Sequence, residues 1–499
     1  MTLADTEPPA HDDVHGDAGD VLVAPGDVLV QEPVAPEHEA SVPLKKPGKP
    51  LGEPRVAFGW VDEGVVGTTS LVPADLRVAT TPYVAVPADL LARPPRRSPL
   101  RPGVLVPIAI IAALIGGYSA TTLLWPLTAV TPTIEAVQVD SAPAPATTPA
   151  WPAQGSGAVA VAGFDGVVGS TADAAPIASI TKVVTALLVL ESQPLAVGEQ
   201  GPEYRFTAAD RVKYWGYRSR GESALDVPVG GTLTEYQLLE GMLIGSANNY
   251  ADRLASNLWP SDAVYASAAN GWLAAHGLNG IAVVEPTGFD ARNTASAASL
   301  IPLAERALAN PVIAEIVAKS EVDLPGAGHV TSTNGLLADP GVIGVKTGSL
   351  DTFNLLAAKN VTIGQTPVRL YAAVLGQPDD NGRIEATRAL FTQLEAELQT
   401  EPSVTAGTTV GVIDTEWGEH VEVKTVGDAS VVLWNGAAGT VSTDLSLGDH
   451  RDKGDDVGTL NVKGPLDSST VDVVLAGDIE PPSAWWRLTH PLELFGLAG

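Results

Sequence analysis

The chain of 499 residues is long enough for two or three domains with at least one sizeable core. Its 58 acidic against 29 basic residues give a formal net charge of −29, which excludes a sequence-independent grip on a nucleic-acid backbone. There is no cysteine, so disulfides and thiolate metal sites are excluded; His276, His329, His420 and His490 stand singly, without a histidine partner at metal-ligand spacing, which argues against a zinc enzyme.

Residues 1–90 hold 15 acidic and 5 basic side chains among many prolines and glycines, with no sustained periodicity. Such a segment buries too little apolar surface to offset its ordering entropy, so 1–103 reads as a disordered acidic tail ending in the arginines Arg93, Arg96, Arg97 and Arg101. Its apolar patches, VLVAPGDVLV and RVAFGWVDEGVV, are candidate docking points for an unknown cytoplasmic partner. The uncharged run Val104–Leu127 has the length of a transmembrane helix. No lysine or arginine follows it until Lys182, an asymmetry that puts the N-terminus in the cytoplasm and everything after residue 127 outside the cell membrane. A cleaved signal peptide or a buried core helix would explain the run less well, since the leading region is long and no face is polar. Residues 128–155 read as an extended Pro/Ala/Thr stalk.

From about Gly157 the texture is that of a folded domain, 156–400. AVAVAGFDGVVG predicts two strands and a turn, and PIASITKVVTALLVLE predicts an apolar helix opening with Ser179 and Lys182. TEYQLLEGMLIG is a helix whose Thr234 and Gln237 have capping-box spacing; Gly245 breaks it before SANNYADRLASNLW resumes. VIGVKTGS, FNLLAAKNVTI and PVRLYAAVLG are successive strands, and RIEATRALFTQLEAEL an amphipathic helix. Residues 401–480 carry only strand and turn signals (TTVGVI, HVEVKTV, ASVVLW, GTLNVKG, STVDVVLAG), a separate all-β domain. The tail 481–499 is aromatic and too irregular for a membrane helix.

Three short polar elements need one another. Ser179 lies at the first turn of its helix, where unpaired N–H groups favour negative charge, and Lys182 is one turn on along the same face. Serine is a poor nucleophile at neutral pH, and lysine becomes a general base only when burial or a second cation lowers its pKa. Read alone, the pair is more readily an N-cap serine with a lysine extending to solvent. Ser246-Ala247-Asn248 occupies the break between two helices; Ser332-Thr333-Asn334 has the same form but sits in a turn. Lys346-Thr347-Gly348 ends a strand, where glycine admits a close backbone and lysine and threonine suit a carboxylate. GVIGVKT falls short of a phosphate loop because Val345 stands where that motif needs glycine.

In the order SxxK, SxN, KTG, these elements resemble the penicillin-recognising serine hydrolases, and the segments around them resemble the D-alanyl-D-alanine carboxypeptidases, the low-molecular-mass penicillin-binding proteins, over about residues 157–398. The resemblance implies an α+β fold class: a penicillin-binding/β-lactamase-like catalytic domain of antiparallel sheet plus helical lobe, followed here by the all-β domain and preceded by the single transmembrane helix. It implies catalytic roles for Ser179 as nucleophile, Lys182 as base and Ser246 as proton carrier. Asn248, Lys346, Thr347, Gly348 and Ser349 would bind substrate, with the N–H groups of Ser179 and Ser349 on the oxyanion. The implied substrate is the peptidoglycan stem peptide ending in D-Ala-D-Ala, with β-lactams as inhibitors and no metal or cofactor. D,D-endopeptidase and β-lactamase activity are variants of the same chemistry, and a non-catalytic or slow penicillin-binding wall scaffold is the alternative of a different class. The chain departs from its relatives after Gly348, where SLDTFNLLAA replaces a usual threonine and Ala-Gly pair.

Overall fold

The computed structural model describes residues 101–398 and 401–498. The acidic tail, its apolar patches and Arg93, Arg96 and Arg97 lie outside the described residues.

A helix runs over Pro102–Leu124, 23 residues without a charge and with only Thr122 buried. At a rise of ~1.5 Å per residue it is about 35 Å long, enough for a hydrocarbon core of ~30 Å. It ends three residues earlier than the apolar run because Pro126 forces Trp125 into an extended conformation.

The segment read as a free stalk is extended but strapped down. Glu135–Ala136 pairs antiparallel with Thr409–Asp414. Further along, Ala142 N donates to Ser403 O (2.8 Å), Ala144 N to Ala437 O (2.8 Å) and Ala150 N to Gln393 Oε1 (2.8 Å). Ile134, Val139 and Ala144 pack on the core of the all-β unit. Proline and alanine set the extended path, while the intervening apolar residues supply an adhesive face.

The central sheet is antiparallel, in the order Val342–Ser349, Phe353–Ile363, Thr366–Gln377, Ser156–Val161, Val168–Gly169. Its strands read as nearly unbroken apolar runs because both faces are covered. Ala158, Ala160, Leu356, Ala358, Tyr371 and Ala373 point into the core shared with the helical lobe. Their neighbours Val159, Val161, Leu355, Ala357, Leu370 and Ala372 point under helix Asp380–Glu397, against Leu390, Phe391 and Leu394. The lobe, residues 175–317, is inserted between the first strands and the last three. Its helix Glu235–Leu243 opens with the expected capping box, Thr234 N to Gln237 Oε1 at 3.0 Å and Gln237 N to Thr234 Oγ1 at 3.2 Å.

Five strands beyond residue 403 and one from the strap form a six-stranded antiparallel sheet ordered Glu135–Ala136, Thr409–Asp414, His420–Thr425, Ser468–Leu475, Asp456–Lys463, Thr440–Leu445. ASVVLW is not one of its strands. Val431 and Leu433 enter this sheet's core, while Val432 and Trp434 enter the core beneath Asp380–Glu397, so the segment's alternation serves two domains at once. The C-terminal residues form two short helices, Ala484–Thr489 and Pro491–Leu494, at the end of the long apolar helix. Tyr118 Oη donates to Leu488 O at 2.6 Å, and Arg487 Nη1 donates to Trp125 O at 2.8 Å and Leu123 O at 3.3 Å. The guanidinium thereby satisfies carbonyls that the helix end leaves unpaired.

Candidate active site

Ser179 lies in a 3-10 turn, Ala178–Ile180, that leads into helix Thr181–Ser192. The turn is sharp: Ala178 has φ 51°, a left-handed conformation rare for a residue with a side chain. Two glycines make room for it. A Cβ on Gly288 would lie 1.9 Å from Ala178 O, and one on Gly348 2.5 Å from Ile177 O. The glycine of the KTG element thus supports the backbone that carries Ser179.

Lys182 folds back from the first turn of the helix, and its side chain is fully buried. Its Nζ donates to Ser179 Oγ at 2.8 Å, Asn248 Oδ1 at 2.6 Å and Thr287 O at 2.6 Å. All three acceptors are neutral oxygens. Burial pulls its pKa from 10.5 down to about 7, against the opposing pull of Glu285, Asp252 and Glu222. Once deprotonated, the amine can turn a lone pair to Ser179 and accept the hydroxyl proton across the same contact.

Lys346 reaches in from the sheet, also buried, and donates to Ser246 Oγ (3.1 Å), Thr347 O (3.1 Å) and Thr347 Oγ1 (3.3 Å). Burial, then the cations Lys182 and Arg383, hold its pKa well below the usual lysine value. Ser246, at φ 58° in the helix break, therefore bridges lobe and sheet. The structure brings Ser179, Lys182, Ser246, Asn248, Lys346, Thr347 and Gly348 to one cleft, with Ser349 exposed at its rim. The alternative tripeptide sits elsewhere in function: Asn334 caps the turn Gly335–Ala338, though Thr333 Oγ1 lies 2.6 Å from Thr347 Oγ1.

Residues 169–378, the stretch that carries all of these groups, match the family described as D-alanyl-D-alanine carboxypeptidase. The similarity is confined to that segment, less than half of the chain. A curated relative, D-alanyl-D-alanine carboxypeptidase DacB2 of Mycobacterium tuberculosis, is 32% identical over 133 residues, which is 25% of this chain and 45% of that protein, so the match spans less than half of its length. Solved structures similar to this chain include a penicillin-binding protein 5 from Haemophilus influenzae, 18% identical with TM-score 0.46, covering 67% of this chain and 100% of that one. Another is an evolved penicillin-binding protein homologue from Mycobacterium tuberculosis, 26% identical with TM-score 0.44, covering 52% and 98%.

The site also uses residues that no motif flagged. Glu285 anchors a loop by accepting from Thr287 N (2.7 Å), Thr287 Oγ1 (2.7 Å), Gly288 N (2.6 Å) and Asn293 Nδ2 (2.6 Å). That loop presents Thr287 O to Lys182 and Gly288 to Ala178. Its signal in the sequence was a carboxylate followed at once by the turn formers Pro286-Thr287-Gly288. Arg383, buried on helix Asp380–Glu397 and paired with Asp380, donates from Nη1 to Gly348 O (3.1 Å), Ser349 Oγ (3.1 Å) and Asn354 O (3.2 Å). In the departing SLDTFNLLAA run, Phe353 lies under the Arg383 guanidinium, centroid to Cζ 5.5 Å. Asn354 there ties Pro176 O (3.0 Å) to Gly376 N (2.9 Å). The variant sequence thus braces the strand end from below. Lys182, Lys346 and Arg383 thus gather three basic side chains at one place in an acidic chain, each held below its ordinary pKa by burial.

Proposed function

We propose that this chain is a membrane-anchored, serine-type D-Ala-D-Ala carboxypeptidase that removes the terminal D-alanine of peptidoglycan stem pentapeptides through an acyl-enzyme and is acylated by β-lactams. The supporting observation is the buried Lys182, bonded only to neutral oxygens and 2.8 Å from Ser179 Oγ, inside the family-matching segment.

In this reading Ser179 Oγ attacks the carbonyl carbon between the two terminal D-alanines as neutral Lys182 takes its proton. General-base help of this kind is worth roughly 10²–10⁴-fold. The N–H groups of Ser179 and Ser349 hold the developing oxyanion, where one such donor is worth about 10²–10³-fold. Lys346 and Thr347 receive the terminal carboxylate, Gly348 lets the peptide lie close to the strand, and Asn248 holds both Lys182 and a substrate amide. Ser246 passes a proton to the departing D-alanine nitrogen. Lys182 then activates water against the ester, releasing the shortened peptide. A β-lactam gives an ester at the same serine oxygen, but the amine released by ring opening stays tethered to the acyl group and blocks the water.

Helix Pro102–Leu124 crosses the cell membrane in this reading, with the arginines that precede it on the cytoplasmic side and the cleft outside, facing the wall. The test uses the full chain in detergent with a fluorescent penicillin and a D-Ala-D-Ala peptide. A covalent adduct lost in Ser179→Ala, with free D-alanine released by the unsubstituted chain, is the expected result. An adduct that survives Ser179→Ala overturns the assignment; an adduct without D-alanine release makes the protein a wall scaffold.

A further inference from the structure

We infer that Glu222 is a positioning residue: it fixes which way the Asn248 amide points, and the reaction depends on that orientation. The inference rests on the reading of Ser179 and Lys182 as nucleophile and base. The two ends of an asparagine amide have nearly the same shape and opposite polarity. At one end Asn248 Oδ1 accepts from Lys182 Nζ at 2.6 Å; at the other Asn248 Nδ2 donates to Glu222 Oε2 at 2.7 Å. A carboxylate only accepts, so whatever faces it must donate. Turning the amide over would set an oxygen against the carboxylate and an NH2 group against the lysine donor, making both contacts repulsive at once. A neutral partner in place of Glu222 would tolerate either orientation.

Glu222 is built into this place. Its side chain is buried, and its second oxygen accepts from Arg220 Nε at 2.6 Å. The guanidinium of Arg220 lies over the Tyr217 ring, 4.9 Å from its centroid. The next residue joins the same clasp, Asn248 N donating to Ser223 O at 2.8 Å. One short segment therefore holds Asn248 by backbone and by side chain, from a part of the chain that carries none of the three motifs. Glu222 also acts on Lys182 through its charge, together with Glu285 and Asp252 and against Lys346 across the cleft.

The test is Glu222→Gln in the full chain, which keeps the shape and allows Asn248 to turn over. The rate of acylation by penicillin, per titrated active site, is measured from pH 5 to 9 alongside thermal unfolding. The plateau rate should fall about tenfold, the scale of couplings between contacting groups. The rising limb should move to lower pH, because a negative charge facing Lys182 is gone. In an Asn248→Ala background the same substitution should leave the plateau where Asn248→Ala put it. A merely structural role would lower the fraction of active protein and leave the rate per site and the limb unmoved, and that result, or full additivity in the double variant, overturns the inference. Should Glu222→Gln not fold, Glu222→Asp carries the test: it keeps the charge, withdraws the oxygens by one methylene, and must lose plateau rate. An unsubstituted chain that takes no penicillin on Ser179 refutes the underlying reading instead.

Discussion

Gly288 and Ala178 meet so closely that a single carbon added to Gly288 would lie 1.9 Å from the Ala178 carbonyl oxygen. The contact is backbone on backbone, and Gly288 itself has φ +81°, so neither partner can step aside. Gly288→Ala is expected to lower stability by about 1–3 kcal/mol from the conformation alone and to displace the turn bearing Ser179. Penicillin labelling should fall by more than the loss of folded protein; a variant with normal labelling kinetics would show that the turn does not depend on this contact.

Replacing Lys182 with methionine separates chemistry from folding. Acylation should drop by roughly 10²–10⁴-fold, since the hydroxyl loses its base. Stability near neutral pH should change little, because relief from burying an amine is offset by the loss of the donor to Asn248 Oδ1 and Thr287 O. Stopped acylation with a melting temperature close to that of the unsubstituted chain is the expected pair of readings.

The pH dependence follows from the same burial. With Lys182 drawn to about 7, acylation should rise with pH through that value and level off above it. Stability carries the matching sign: between about 7 and the ordinary 10.5 the unfolded chain binds the proton that the folded chain has released. Folding is therefore favoured progressively as pH rises across that window. Lys346 contributes in the same direction, its pKa being lowered too. Melting temperatures of the unsubstituted chain and of Lys182→Met, compared from pH 6 to 9, should show a flatter slope in the variant.

Arg383→Met removes the donor that Gly348 O, Ser349 Oγ and Asn354 O share and leaves those acceptors without it. The expected cost is about 1–3 kcal/mol, and the loss of one cation from the cleft should raise KM for a peptide with a free terminal carboxylate more than for an amidated one. Equal effects on both peptides would confine Arg383 to a structural role.

Much of this was legible before the fold was known, for identifiable reasons. Ser179, Lys182, Asn248, Lys346 and Thr347 are polar residues in apolar or turn settings, and their spacing is short enough to read as motifs. The strands around Lys346 declared themselves by unbroken apolar runs, since both faces are covered. Glu222 and Arg383 left no such mark. A glutamate between Gly221 and Ser223, or an arginine in a helix rich in charge, is ordinary until tertiary contacts bury it. In the sequence the strap reads as a stalk because composition reports backbone stiffness and says nothing of Ile134 and Val139 finding a sheet edge. ASVVLW misled for a subtler reason: alternation shows that two sides of a segment are covered, not that a neighbouring strand pairs with it.

The strap yields its own prediction. A soluble piece beginning at residue 150 would lack Glu135–Ala136 and expose the Thr409–Asp414 edge along with the surface that Ile134 and Val139 cover. It should self-associate at concentrations where a piece beginning at Leu127 stays monodisperse, a difference that size-exclusion chromatography resolves.

The bonds from Tyr118 and Arg487 at the foot of the long apolar helix bear on reach. The C-terminal helices are fastened there and the strap is paired along the sheet edge, so the link from that helix to the folded domains is bonded at both ends. In the proposed membrane-anchored reading, the cleft would stand at a set height above the bilayer, and substrate would have to come to that level.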